Sequence, residues 1–158
     1  MKASTETSKI SATVDFGATG KQYGHLVVPH STNQSAWGAI EIPVAVISGG
    51  QGPTVFFTGA NHGDEYEGPI ALAKLMGSLE PGQVRGTVII MPALNLPAFR
   101  AAQRLSPLDG MNMNRAFPGS RDGTVTSMIA HFVSHHILPM VDVAVDLHAG
   151  GKTLDFMP

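Results

Sequence analysis

The chain has 158 residues, enough for one domain with a real core. Its formal net charge of −2 and pI near 6.4 give no basis for nucleic acid or an anionic membrane as partner, and no apolar run reaches membrane-span length. With no cysteine, disulfides and thiolate metal sites are excluded, so any metal must be held by imidazole and carboxylate. An apolar fraction of 43% with only 14% charged residues suits a sheet covered on both faces. The opening MKASTETSKISATVDF has no apolar stretch of signal-peptide length, which makes the cytoplasm the expected location.

Residues 1–9 are polar and expected to fray. A β-rich leader fills the rest of 1–50, with strands expected at Ile10–Phe16, Gly24–Pro29 and Ala39–Ile47. In the last, Ile40, Ile42, Val44 and Val46 alternate onto one face, while Pro43 lacks a donor and pushes the strand toward a sheet edge. GGQGP at 49–53 is a turn.

Over 51–158 the pattern becomes α/β. Thr54–Thr58 is a short apolar strand running into the loop GANHGDE. Gly68–Leu79 carries Ile70, Leu72, Leu75, Met76 and Leu79 near helical spacing, and Pro81–Gly82 stops it. Thr87–Pro92 is a second buried strand. Asn95–Gly119 reads as a long ordered loop with a short helix near Phe99–Arg104. Thr124–Leu138 is a helix with Val125, Met128, Ile129, Phe132 and Val133 on one stripe, and Val141–Leu147 is a third buried strand. Strands alternating with helices predict an α/β, doubly wound, mostly parallel sheet. Ligands of such sheets bind beyond the carboxyl ends of the strands, and here those ends lead to Asn61, His62, Asp64 and Glu65, to Asn95, and to His148.

His62 and Glu65 are three apart and can point the same way from one turn. His148 adds a third ligand from a distant strand end, completing a His/Glu/His set suited to a zinc with one open position. Gly59 and Gly63 bracket the local pair and permit a tight backbone turn. Asp146, two residues before His148 and on the same face of a strand, can orient a ligand imidazole. The His-x-x-Glu spacing alone reads equally well as a solvated His beside a helix start, with Glu65 favoured there by the helix dipole.

Asn114 and Arg115 lie side by side within LSPLDGMNMNRAFPG and suit a substrate carboxylate, which guanidinium binds through two parallel bonds. Arg104 is a second nearby cation that can stabilise an oxyanion. The alternative is that the arginines pin the loop through Asp109 or backbone carbonyls. His131 and His135, four apart, lack the Glu of a metalloprotease helix motif and are expected on a partly exposed helical face.

Three ordered segments, GANHGDEYEGP at 59–69, SPLDGMNMNRAFPG at 106–119 and DLHAGG at 146–151, resemble the succinylglutamate desuccinylase/aspartoacylase family, relatives of the zinc carboxypeptidases. SATVDF, the SAWG at 35–38 and the TLDF at 153–156 resemble the branch of that family that deacetylates N-acetyl-2,4-diaminobutyrate in ectoine breakdown. The resemblance implies one zinc ion on His62, Glu65 and His148, a substrate-carboxylate site at Asn114 and Arg115, and Arg104 as the catalytic cation beside the scissile carbonyl. It implies metal-assisted hydrolysis of a small N-acyl amino acid. In the family the general base is a Glu well downstream of the DLH motif, so the base is expected beyond residue 158. Later strands are expected there too, leaving an open apolar edge prone to self-association. Asp64 is expected to brace its loop and Glu67 to start a helix. Two other readings are a zinc-holding module without a general base and a zinc carboxypeptidase acting on peptides.

Overall fold

The computed structural model describes residues 7–33, 36 and 38–155. Ser35, Trp37 and Phe156, from the SAWG and TLDF segments, lie outside them, as does the stretch 1–6 expected to fray. Residues 7–9 are placed, and Lys9 pairs with Asp122 at 2.6 Å.

Six strands form one sheet: β1 (Ser11–Ala12), β2 (Gly20–Pro29), β3 (Ala39–Ser48), β4 (Thr54–Gly59), β5 (Thr87–Met91) and β6 (Val143–Leu147), in spatial order β1-β2-β3-β5-β4-β6. Helices α1 (Glu67–Ser78), α2 (Leu96–Ala101) and α3 (Val125–Phe132) connect the later strands. The α/β class is as expected, but the sheet is mixed. Among the described residues, β1, β2, β3 and β5 pair antiparallel in succession, and only β5-β4 and β4-β6 pair parallel. The β-rich leader causes this, because β3 joins β5 through Ala45–Ser48 and extends the same sheet. Consequently β3 is an internal strand. Pro43 still obeys its chemistry, since it stands in the half of β3 that β5 does not reach.

The first expected strand is cut to two residues. Asp15 Oδ1 accepts the Gly17 N–H at 2.8 Å, a local turn that competes with strand pairing.

Period-two alternation assigns side chains to two faces. Phe56, Ile89, Met91, Ile42, Val44 and Val46 pack against α3, whose stripe Val125, Met128, Ile129, Phe132 and Val133 is buried as its spacing predicts. Phe57, Val88, Ile90 and Ile47 face α1 through Leu72, Leu75, Met76 and Leu79. Ile70 falls off that i, i+3, i+4, i+7 stripe and is exposed. Helices therefore cover both faces, the doubly wound arrangement. None of the described helices is long and apolar enough to cross a membrane.

Strand β6 is the outermost strand, not a buried one. Among the described residues it pairs only with β4, and Val143 and Val145 are 50% and 36% exposed. The short helix begins three residues before its expected start. Asn95 caps it by accepting the Ala98 N–H, Pro97 sits in its first turn, and Ala102 closes it in the left-handed region at φ 52°. The last expected helix ends as α at Phe132, continues as a π turn over Val133–Ile137 and a 3-10 turn over Leu138–Met140, and stops beside Pro139.

The long loop before α3 is anchored by an acid. Thr124 occupies the cap position without a side-chain capping bond. Asp109 acts instead, accepting from Thr126 N at 2.8 Å and from Thr126 Oγ1 at 2.9 Å. Burial pushes the Asp109 carboxyl up, but donors from Thr126, Thr124 and Met111 outweigh it and hold it below the ordinary value. A depressed folded-state value contributes stability above the unfolded value, and that contribution fades as pH falls through the folded one. Asp109→Ala should therefore cost about 1 kcal/mol at neutral pH. In urea unfolding, the difference from wild type should shrink below about pH 4.

Gly63 faces the backbone of α2. A Cβ there would lie 2.0 Å from the Ala98 carbonyl carbon, a clash with main chain that no rotamer relieves. Gly63→Ala should destabilise the fold by about 1–3 kcal/mol, read as a lower urea midpoint.

Candidate metal centre

The parallel register of β4, β5 and β6 brings their carboxyl ends to one rim. Beyond β4 the chain turns at Ala60, which sits at φ 49°, and delivers Asn61 and His62. The loop after β5 is stitched to it, because Leu94 N donates to Gly59 O at 2.9 Å and Asn95 N to Ala60 O at 3.2 Å. Beyond β6 the next residue is His148. Glu65 lies just before α1. Gly68, in the first turn of α1, packs so closely on Leu147 that a Cβ would lie 2.9 Å from that side chain. This contact sets α1 against the end of β6.

His62, Glu65 and His148 converge as their spacing predicts, with one ligand atom of each lying within 4.8 Å of the others. His62 Nδ1 is 2.8 Å from Glu65 Oε1, and His148 Nδ1 is 2.8 Å from Glu65 Oε2. Glu65 and His62 are 4% and 2% exposed, while His148 forms the open side. Ala149 N donates to Glu65 Oε2 at 3.1 Å. Burial pushes the Glu65 carboxyl up, but the Ala149 N–H, together with the His62 and His148 rings when these carry a proton on Nδ1, outweighs it and holds it below the ordinary carboxylate range. It is thus ionised, as a metal ligand must be.

The far nitrogens of both rings decide what the near ones offer. Asn112 Oδ1 accepts the Asn114 N–H at 3.0 Å, which fixes that atom as the oxygen of the amide. His62 Nε2, 3.2 Å from it, must therefore carry a proton. Asp146 Oδ2, 2.9 Å from His148 Nε2, imposes the same on the second ring. In neutral imidazoles both Nδ1 lone pairs then face the Glu65 carboxylate. Acceptors opposed at 2.8 Å repel unless a cation stands among them. Two imidazole nitrogens and a carboxylate fit zinc by donor type, at bonding distances of about 2.0–2.2 Å.

Asp146 shares the face of His148, as strand geometry predicts, and also accepts from Asn61 Nδ2 at 2.8 Å. Arg104 extends along the rim with Nη1 3.5 Å from Glu65 Oε1 and its side chain largely exposed. Asn114 joins Asn61 and Asp146 in the wall of a cavity of about 200 Å³. Arg115 is exposed and makes no hydrogen bond or ion pair to the group among the described residues. Neither arginine uses Asp109, which is committed to Thr126 and Met111. Asp64 Oδ2 accepts from Lys152 N at 3.5 Å, bracing its loop, and Glu67 opens α1.

His131 is buried rather than partly exposed, because α3 turns it inward; its ring lies 4.4 Å from that of His135. The residue that sequence reading missed is Asn112. Its only signal was the Asn-x-Asn spacing ahead of Arg115, which does not reveal that its oxygen reaches His62.

Comparison with known proteins places these residues in a lineage. Residues 51–158 match the model for the succinylglutamate desuccinylase/aspartoacylase catalytic domain. Over 151 residues the chain is 55% identical to N-alpha-acetyl-L-2,4-diaminobutyric acid deacetylase of Halomonas elongata, covering 96% of this chain and 44% of that protein. A succinylglutamate desuccinylase from a Silicibacter species superposes with TM-score 0.90 at 51% identity, covering 93% of this chain and 45% of the other. The product-bound ectoine utilization protein EutE from Ruegeria pomeroyi superposes with TM-score 0.90 at 52% identity, again covering 93% and 45%. The chain thus spans a little under half the length of the relatives it matches. It belongs to the succinylglutamate desuccinylase/aspartoacylase catalytic-domain family.

Proposed function

We propose that the chain forms the metal-holding part of a zinc-dependent amide hydrolase that removes an acyl group, acetyl in the first instance, from a small N-acyl amino acid such as N-acetyl-2,4-diaminobutyrate. One observation carries the reading: three lone-pair atoms, from His62, Glu65 and His148, converge with both far ring nitrogens occupied by acceptors. The deacetylase name of the Halomonas elongata relative and the ectoine role of EutE support the choice of substrate.

His62, Glu65 and His148 would hold the ion. A zinc ion there supplies a Lewis acid that activates water and polarises the amide carbonyl. Arg104, at the rim beside Glu65, would face the carbonyl oxygen as negative charge develops on it. Asn114 and Arg115 would take the substrate carboxylate, one side chain as amide donor and the other as a two-pronged guanidinium. Asp146 would hold the His148 ring so that Nδ1 faces inward.

A second reading, a metal-holding unit without its own general base, is favoured by one feature. Among the described residues, the group that could hold a metal is His62, Glu65 and His148, and neither Asp64, whose Oδ2 accepts from Lys152 N, nor Glu67, at the start of α1, belongs to it.

Purified protein should carry about one zinc per chain, measured by mass spectrometry of the metal, and His148→Ala should lose it. A folded wild type that binds no zinc would overturn the proposal. If the zinc-loaded protein hydrolyses N-acetyl-2,4-diaminobutyrate, Arg104→Ala should lower kcat about 10²–10³-fold while leaving zinc content intact. Zinc binding without any hydrolysis would select the second reading.

A further inference from the structure

We infer that Asn112 is a positioning residue: a single amide oxygen fixes the tautomer of His62 and anchors the turn that carries Asn114 and Arg115. The inference rests on the metal-centre reading above. It assigns a task to a residue that takes no part in the ligand set.

The geometry is a shared acceptor. Asn112 Oδ1 lies 3.2 Å from His62 Nε2 and accepts the Asn114 N–H at 3.0 Å. Asn112 is the N-cap of the 3-10 turn Met113–Arg115, and Arg115 N donates back to Asn112 O at 2.9 Å. Met113, the next residue, is fully buried in the main core, so the turn cannot drift away from the sheet. The oxygen is thus held from both sides. A carbonyl-type oxygen only accepts, so the imidazole must present Nε2–H to it, leaving the Nδ1 lone pair aimed at Glu65 and the ion.

The two imidazoles are consequently unequal. His148 is backed by the Asp146 carboxylate, while His62 is backed by a neutral amide. An amide orients the ring without adding negative charge to a site where Glu65 is already ionised. The same oxygen makes the position of the carboxylate-binding turn depend on the ring that holds the metal. Zinc binding should therefore be felt at Asn114, about fifty residues away in sequence.

The test compares wild type, Asn112→Ala and Asn112→Asp by competition for zinc with a chromophoric chelator. Asn112→Asp keeps an acceptor for both donors and should bind zinc at least as tightly as wild type. Asn112→Ala should bind roughly 10–100-fold more weakly. In ¹⁵N-labelled protein, zinc should shift the Asn114 amide in wild type and leave it nearly unmoved in Asn112→Ala. Equal zinc affinity in wild type and Asn112→Ala would overturn the inference, with the metal centre itself intact. A wild type without zinc affinity would sink the metal reading instead. The metal-free protein then decides for Asn112. A His62 Nε2–H resonance that is present in wild type and lost in Asn112→Ala supports the positioning role, and identical spectra overturn it.

Discussion

The carboxylate of Glu65, buried between two imidazoles whose outer nitrogens are already spoken for, is the constraint on which the rest of the structure depends. An ionised group with little access to water must be matched by donors or by a cation. Here the Ala149 N–H supplies one bond, and the two rings stand at 2.8 Å on either oxygen. To deliver these partners, the chain must bring a loop after β4, the start of α1 and the residue after β6 to within a few ångströms. Parallel register does this, since Thr58 aligns with Met91 on one side and with Asp146 on the other. A slip of one residue in β6 would turn His148 to the opposite face and leave Glu65 unmatched.

The close approaches serve the same end. Gly63 lies against α2 and Gly68 against Leu147, both at distances that exclude a Cβ. The loop holding His62 and Glu65 is thereby clamped between α2 and β6. The sharp turn itself is made by Ala60 in the left-handed region, whereas the glycines permit contact. Spacing in the sequence suggested glycines for turning; packing shows glycines for proximity.

What the sequence disclosed follows from the range of the forces involved. The convergence of His62, Glu65 and His148 was legible in part: the separation of three and the strand-end place of His148 allowed it, and the three family-like segments singled it out. The helix stripe of α3 and the alternation of Ile40, Ile42, Val44 and Val46 in β3 were legible because periodicity records burial directly. The antiparallel joint of β3 to β5 left no such mark. An apolar run reads alike whichever neighbour it pairs with, and pairing direction is set by tertiary closure. Asn112 was hidden for a similar reason, because a hydrogen bond spanning fifty residues has no periodic signature. An open apolar edge was expected from the family resemblance, but not that β6 would form it. Val-Asp-Val-Ala-Val-Asp-Leu is apolar enough for an inner strand, and only the sheet order reveals that nothing described lies beside it.

The peripheral place of β6 has a consequence for the site. His62 and Glu65 sit on well-buried chain, but among the described residues His148 follows a strand with one neighbour and exposed valines. Edge strands open more readily than inner ones, because fewer contacts and hydrogen bonds are lost when they do. A cation bridging His148 to His62 and Glu65 would couple β6 to the inner sheet, and ligation would oppose the opening of that edge by mass action. The reverse also holds. Whatever pairs with β6 on its free side would restrain His148 and raise the affinity of the whole set for metal, since the cost of ordering the third ligand would already be met. The candidate metal-holding group and the pairing of β6 are therefore not independent features, and the geometry of His148 is where they meet.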